Sequence, residues 1–232
     1  MAIAFDATSS ITWNTAIPTS KTWSHTCTGS DLVLIVGIAH EDTTDADRGC
    51  SGITYNGVAL TKIRTDDNLG DNITSELWYL LGPATGANNI VATFNGGVDD
   101  GDCMAISLTG VAQSGQPDAQ NGATASNVTS ISVDVTTVAD NCWVVDAFIR
   151  GDGTTGNTVG AGQTARVNET FSLAGAGMSH EGPKTPAGVV TMSWTRNTSG
   201  SPDWAISAAS FKPVAAAAGT YPGMMTGTGI VY

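Results

Sequence analysis

Charged side chains are scarce in this chain, and basic ones are the scarcest. Of 232 residues only 13% are charged, and 9 Lys and Arg stand against 21 Asp and Glu, for a formal net charge of −12. An ordinary soluble domain is about 25% charged. An acidic surface repels nucleic acid phosphates and anionic membranes, so we expect neither as a direct partner. Divalent cations, neutral glycans and basic protein surfaces stay open.

Histidine and cysteine are also few. The chain has 3 His and 4 Cys, and the cysteines are widely spaced with no C-x-x-C pattern, so a zinc site is not expected. The sequence alone leaves three possible disulfide pairings open. Reduced, partly buried thiols are the simpler interpretation. The four residues are Cys27, Cys50, Cys103 and Cys142.

Features that would direct the chain to a membrane are missing as well. Residues 1–6 lack a basic start and an apolar core, so no signal peptide is indicated. No apolar run approaches the roughly 20 residues of a transmembrane helix. We therefore expect synthesis in a host cytoplasm.

What the chain does have is the pattern of an all-β protein. Asn56-Gly57 between two β-rich runs is the strongest local signal for a two-residue hairpin, because both residues tolerate positive φ. Residues 31–39 and 142–149 form apolar runs typical of strands buried on both faces. About a dozen short strands, with turn signals every 8–12 residues or so, predict an antiparallel β-sandwich of jelly-roll type. No repeat of fixed period stands out. We expect a single domain over residues 1–213.

Residues 214–232 break the strand pattern and predict an extended C-terminal arm. The segment is uncharged and partly apolar, whereas a solvated tail would normally be polar and charged. It could lie against its own domain, but we favour an arm that contacts a neighbouring subunit. The assembly residues we predict are Tyr221, Met224, Met225, Ile230, Val231 and Tyr232.

Two acidic loops are candidates for binding Ca²⁺, which takes several carboxylate and carbonyl oxygens. Neither loop has EF-hand spacing, and solvated loop charges are the simpler interpretation. The candidate ligands are Glu41, Asp42, Asp45, Asp47, Asp99, Asp100 and Asp102.

Other motifs give weaker indications of function. Residues 151–156 match G-x-G-x-x-G, but the following residues cannot open a helix, so we interpret them as a loop. No G-x-S-x-G elbow supports a Ser-His-Asp triad. Most of the 6 Trp lie in apolar strand patterns and are expected in the core. Trp23, flanked by Thr and Ser, is the candidate for an exposed ring that stacks on a sugar.

The motifs Thr54–Gly57, Trp78–Gly86 and Trp204–Pro213 together resemble a recurrent β-sandwich domain of phage and bacterial proteins. They read TYNG, WYLLGPATG and WAISAASFKP, and the resemblance spans most of residues 51–213. It implies a part of a virion, such as a capsid decoration, a head fibre or a tail fibre, or else a surface adhesin. The family offers no catalytic motif to transfer.

The sequence thus predicts a non-enzymatic virion structural protein of capsid-decoration or fibre type. Its expected partners are copies of itself, other virion proteins, or both. The alternative is a carbohydrate-binding or adhesin module, possibly Ca²⁺-dependent. An esterase or glycosidase is a third, weaker possibility.

Overall fold

The computed structural model describes residues 1–14, 18–42, 49–70, 72–152, 156–171, 174–198 and 200–215. Within them the chain forms seventeen β-strands and no helix, and so none that could cross a membrane. The strands of the first half are β1 Ala4–Trp13, β2 Ser20–Cys27, β3 Val33–Glu41, β4 Cys50–Tyr55, β5 Val58–Ala59, β6 Thr61–Asn68, β7 Ile73–Leu81, β8 Gly86–Phe94 and β9 Asp100–Thr109. Those of the second half are β10 Ala119–Ala125, β11 Ser130–Thr136, β12 Cys142–Gly151, β13 Asn157–Val159, β14 Thr164–Phe171, β15 Ala174–Lys184, β16 Val189–Arg196 and β17 Trp204–Phe211.

Each half contains a large and a small antiparallel sheet. In the first half the large sheet has the order β1-β9-β3-β7-β6 and the small sheet β2-β8-β4-β5. In the second half the orders are β10-β17-β12-β15-β14 and β11-β16-β13. When the two-residue strand β5 is left out and strands are counted from the first of each half, both halves have the orders 1-8-3-6-5 and 2-7-4. The predicted all-β antiparallel sandwich is therefore confirmed, while its jelly-roll type stays a prediction.

Hydrophobic clusters fill the spaces between the sheets and set the order of the layers. One cluster lies between the two sheets of the first half and another between those of the second half. A third cluster joins the two large sheets, with Ile35 and Met104 of the first half packed among residues such as Val145 and Met178 of the second. The molecule is therefore a stack of four sheets, with the two large sheets inside.

The central strands of the inner sheets are buried on both faces. In β3 every residue from Val33 to His40 is buried, as predicted for a central strand. Strands of the outer sheets alternate instead. In β11 Ile131, Val133 and Val135 face the core while the residues between them are exposed.

The Asn56-Gly57 turn is confirmed, with φ of 50° and 78° at the two residues. The hairpin that it closes is short. β5 is paired with β4 in the small sheet, and the chain then crosses at buried Leu60 into β6 of the large sheet. One predicted hairpin thus connects two layers.

Polar and close apolar contacts join the two halves. Ser75 Oγ donates to the Ala147 carbonyl at 2.9 Å, and Ser207 Oγ donates to the Ser75 carbonyl at 3.0 Å. A Cβ atom added at Gly37 would lie 2.8 Å from the Ala147 Cβ atom. The backbones of the inner sheets therefore approach closely at this point. The expectation of one domain over residues 1–213 stays a prediction.

Candidate functional site

The pairing of β3 with β9 brings the two predicted acidic loops to one end of the molecule. In this antiparallel register Glu41 lies opposite Asp100, and Ala39 lies opposite Asp102. Asp42 and Asp99 lie next to these positions, directly beyond the strand ends. Asp45 and Asp47 are outside the described residues. Five of the seven candidate cation ligands therefore share this acidic end, although they are far apart in sequence.

Several of these carboxyl groups are buried. Asp42 is 1% exposed, Asp100 7% and Asp102 0%, so the simpler interpretation as solvated loop charges is wrong for them. Burial, and secondarily the negative charge of Glu169, raises the pKa of Asp102 to about 8. A carboxyl group with this pKa is mostly protonated at neutral pH, and a protonated carboxyl is a poor ligand for Ca²⁺.

The register places Glu41, Asp100 and Asp102 on one face of the sheet, because paired residues and alternate residues of a strand share a face. This is the face of Met104 and the shared core, whereas Cys103 faces the small sheet. In the part of the chain that the structure describes, no group of three or more His, Cys, Asp or Glu side chains could hold a metal ion. The described residues therefore bring the acidic loops together without forming a cation cage.

A buried carboxylate that the sequence did not indicate forms an ion pair in the first half of the chain. Glu76 is 0% exposed, and its carboxylate lies 3.2 Å from the Lys62 ammonium. It also accepts hydrogen bonds from the Trp78 indole at 2.7 Å and from the Cys50 amide at 3.0 Å. Burial raises the pKa of Glu76, and Lys62 opposes that shift. The one available signal was a charged residue inside an otherwise apolar strand pattern.

The four cysteines are all free and buried. Burial raises the pKa of Cys50 and of Cys142 to about 12, so neither forms an appreciable amount of thiolate at neutral pH. These thiols act as small core residues, as the simpler interpretation expected.

His25 lies in a chain of hydrogen bonds that resembles part of a catalytic triad. Ser107 Oγ donates to the Asp6 carboxylate at 2.6 Å, so the contact of 3.1 Å between His25 Nε2 and Ser107 Oγ makes the imidazole the donor. His25 Nδ1 then accepts from Ser9 Oγ at 2.8 Å. In a triad the carboxylate contacts the imidazole directly, but here it contacts Ser107. Burial lowers the pKa of His25 to about 4, so the chain joins β1, β2 and β9 and provides only a weak base.

Trp23 does not offer a sugar-stacking ring, and this prediction is wrong. Its side chain is 7% exposed and packs between the sheets of the first half. Its indole nitrogen donates to Ser9 Oγ at 3.1 Å. The flanking Thr and Ser are the outward residues of β2, and the alternation of the strand turns Trp23 inward. The core location predicted for most other Trp is confirmed for Trp13, Trp78, Trp194 and Trp204 by their burial.

The predicted assembly residues Tyr221, Met224, Met225, Ile230, Val231 and Tyr232 lie outside the described residues. The start of the arm is described. Val214 N donates to the Gly110 carbonyl at 2.9 Å, and Pro213 forms an isolated bridge with Val111. The arm therefore begins at the end of the molecule opposite the acidic loops.

Comparisons with protein-family models, with curated proteins and with solved structures found no match. The resemblance to phage and bacterial domains accordingly stays a prediction, and the function has to be argued from the geometry.

Proposed function

We propose that this chain is a non-enzymatic structural subunit of a virion, of capsid-decoration or fibre type. It acts through contacts with copies of itself or with other virion proteins. The observation that carries the proposal is the four-sheet stack, in which two sandwiches of the same strand order are joined through their large sheets. In this arrangement the two small sheets lie on the outside of the stack and face away from each other, so both are available for contacts with neighbouring subunits.

The outer faces of both small sheets suit contacts with neighbouring subunits. Their exposed side chains are short and mostly carry hydroxyl groups, and charges are rare among them. The low charge is the feature that these faces share with interface cores. These residues include Thr22, Ser24, Thr26, Asn89 and Thr93 on one face and Ser130, Ser132, Thr136, Thr191 and Thr195 on the other.

The strand order supports the jelly-roll type that we include in the proposal. In each half early strands are paired with late ones: β1 with β9 and β2 with β8, then β10 with β17 and β11 with β16. Such pairing is typical of Greek-key connectivity, and jelly rolls built from it occur in viral capsids and in lectins. The buried free thiols fit synthesis in a reducing host cytoplasm before incorporation into the virion.

The same fold supports a second candidate, a carbohydrate-binding or adhesin module that uses Ca²⁺. One observation favours it: the register of β3 and β9 gathers Glu41, Asp42, Asp99 and Asp100 at one end of the sandwich. Loops at one end of a sandwich are a common location for ligand sites.

The mass of the full chain in solution, measured with and without EDTA, distinguishes the two candidates. We expect a defined oligomer at micromolar concentration whose mass EDTA does not change, because the proposed contacts need no metal ion. A chain that stays monomeric up to submillimolar concentration and joins no larger particle would contradict the structural role. Glycan binding that EDTA abolishes would then support the second candidate.

A further inference from the structure

A groove of about 790 Å³ opens at the end of the molecule where the arm begins. Its walls come from both halves: the connector at Ala112, the turn at Ala139 and the segment Lys212–Ala215. Most of the lining residues are apolar or small. A volume of this size lies within the range of about 300–1,000 Å³ that ligand pockets occupy.

Hydrogen bonds hold the walls of the groove in place. Ala112 N donates to the Lys212 carbonyl at 3.0 Å. The Gln116 amide, in a side chain only 8% exposed, donates to the same carbonyl at 2.9 Å and to the Ala112 carbonyl at 3.1 Å. The Tyr79 hydroxyl donates to the Gln116 carbonyl at 2.8 Å. The groove is thus formed before any occupant binds.

The charge of the groove indicates what kind of segment it accepts. Its charged groups are few: the side chains of Lys212 and Asp140, one of each sign, and the amino group of Met1, which donates to the Val214 carbonyl at 3.4 Å. The rest of the lining is uncharged, so an uncharged segment with apolar side chains matches it. Residues 216–232 have no charged side chain and include Tyr, Met, Ile and Val. They directly follow Ala215 in the wall of the groove.

We propose that the groove binds the segment Tyr221–Tyr232 of a second copy of this chain. The inference rests on the proposed structural role and names the contact through which copies join. Five residues, 216–220, separate the wall from Tyr221, and at about 3.3–3.6 Å per residue they span roughly 17 Å when extended. Over this distance the segment can extend to a neighbouring copy. If two copies each place their arm in the groove of the other, they form a closed dimer with two-fold symmetry.

The test uses the full chain and two substitutions in one turn. Ala139→Arg places a long charged side chain in the groove, whereas Val138→Arg alters a residue that is 72% exposed and does not line it. We expect Ala139→Arg to weaken self-association by about tenfold or more, as loss of a central contact does, and Val138→Arg to leave it unchanged. An excess of a synthetic peptide of residues 216–232 should dissociate the wild-type oligomer. Melting temperatures show whether both variants are folded.

The outcomes separate this inference from the proposed function. If Ala139→Arg associates as the wild type does and the peptide has no effect, the groove is not the contact, although the structural role stands. If the wild-type chain is monomeric, both proposals fail. A monomer in which Ala139→Arg exposes amides of the groove to hydrogen exchange would show that the chain's own arm fills it, which overturns exchange between copies.

Discussion

Replacing Gly37 by alanine is expected to lower the free energy of unfolding by about 1–3 kcal/mol, the usual cost of overpacking a core. The added Cβ atom would lie 2.8 Å from the Ala147 Cβ atom and 3.0 Å from Met178 Sδ. Met178 can adjust its rotamer, but Ala147 is fixed by β12, which is paired on both sides. The new methyl group must therefore push the two inner sheets apart.

The control is Gly52→Ala, because a Cβ atom at Gly52 would have no atom within 4 Å. This substitution should leave the free energy of unfolding, measured by urea denaturation, nearly unchanged. The double variant Gly37→Ala/Ala147→Gly moves one methyl group across the contact and should recover most of the lost stability. A Gly37→Ala variant as stable as Gly52→Ala would contradict the close packing of the halves.

Replacing Asp146 by alanine is expected to cost roughly 3 kcal/mol or more, since it leaves several buried donors without an acceptor. The carboxylate is 0% exposed and lies between the sheets of the second half. One oxygen accepts from Ser179 N at 2.8 Å and Ser179 Oγ at 2.7 Å, and the other accepts from the Trp194 indole at 2.8 Å. Urea denaturation measures the loss.

The cost of Asp146→Ala should depend on pH with a defined sign. Burial raises the pKa of Asp146 from the usual 3.8 of an aspartate to about 7. Its contribution is then fully present below about pH 4 and declines as pH rises towards 7, so the loss should be larger at pH 5 than at pH 8. The control is Asp134→Ala. The carboxylate of Asp134 is exposed and accepts a hydrogen bond from Thr191, so its removal should change the free energy of unfolding little. Equal losses at both sites would contradict the argument.

The strands that the sequence predicts well are those whose burial follows a simple pattern. β3 is apolar throughout and β11 alternates, and both are where the sequence places them. β10 has little local strand signal, because Ala119–Ala125 contains no β-branched residue except Thr124. It forms a strand because it pairs with β17 along its full length at the edge of the inner sheet. Such long-range pairing leaves no local signal.

The correspondence between the halves also leaves little trace in the sequence. The two central strands of the inner sheets, β3 and β12, face each other with Gly37 against Ala147. Their sequences differ even at corresponding positions: the last two residues are His40-Glu41 in β3 and Arg150-Gly151 in β12. The strand order is shared while the residues are not. Strand order is set by contacts between distant segments, so a search for a fixed period could not find it.

The candidate site shows the same division between local and long-range information. Composition identifies the acidic loops, but only the register of β3 and β9 shows that they lie side by side. The partners of Glu76 come from β4, β6 and β7, and no spacing in the sequence links these strands. Trp23 was misjudged because its polar neighbours are the outward residues of an alternating strand.

Calorimetric unfolding of the full chain tests most directly the claim that the two halves form one body through a shared core. The core between the inner sheets contains apolar side chains from both halves, so unfolding of one half would expose apolar side chains of the other to water. The account predicts a single transition whose calorimetric and van't Hoff enthalpies agree. Two separate transitions, with Gly37→Ala shifting only one of them, would contradict it.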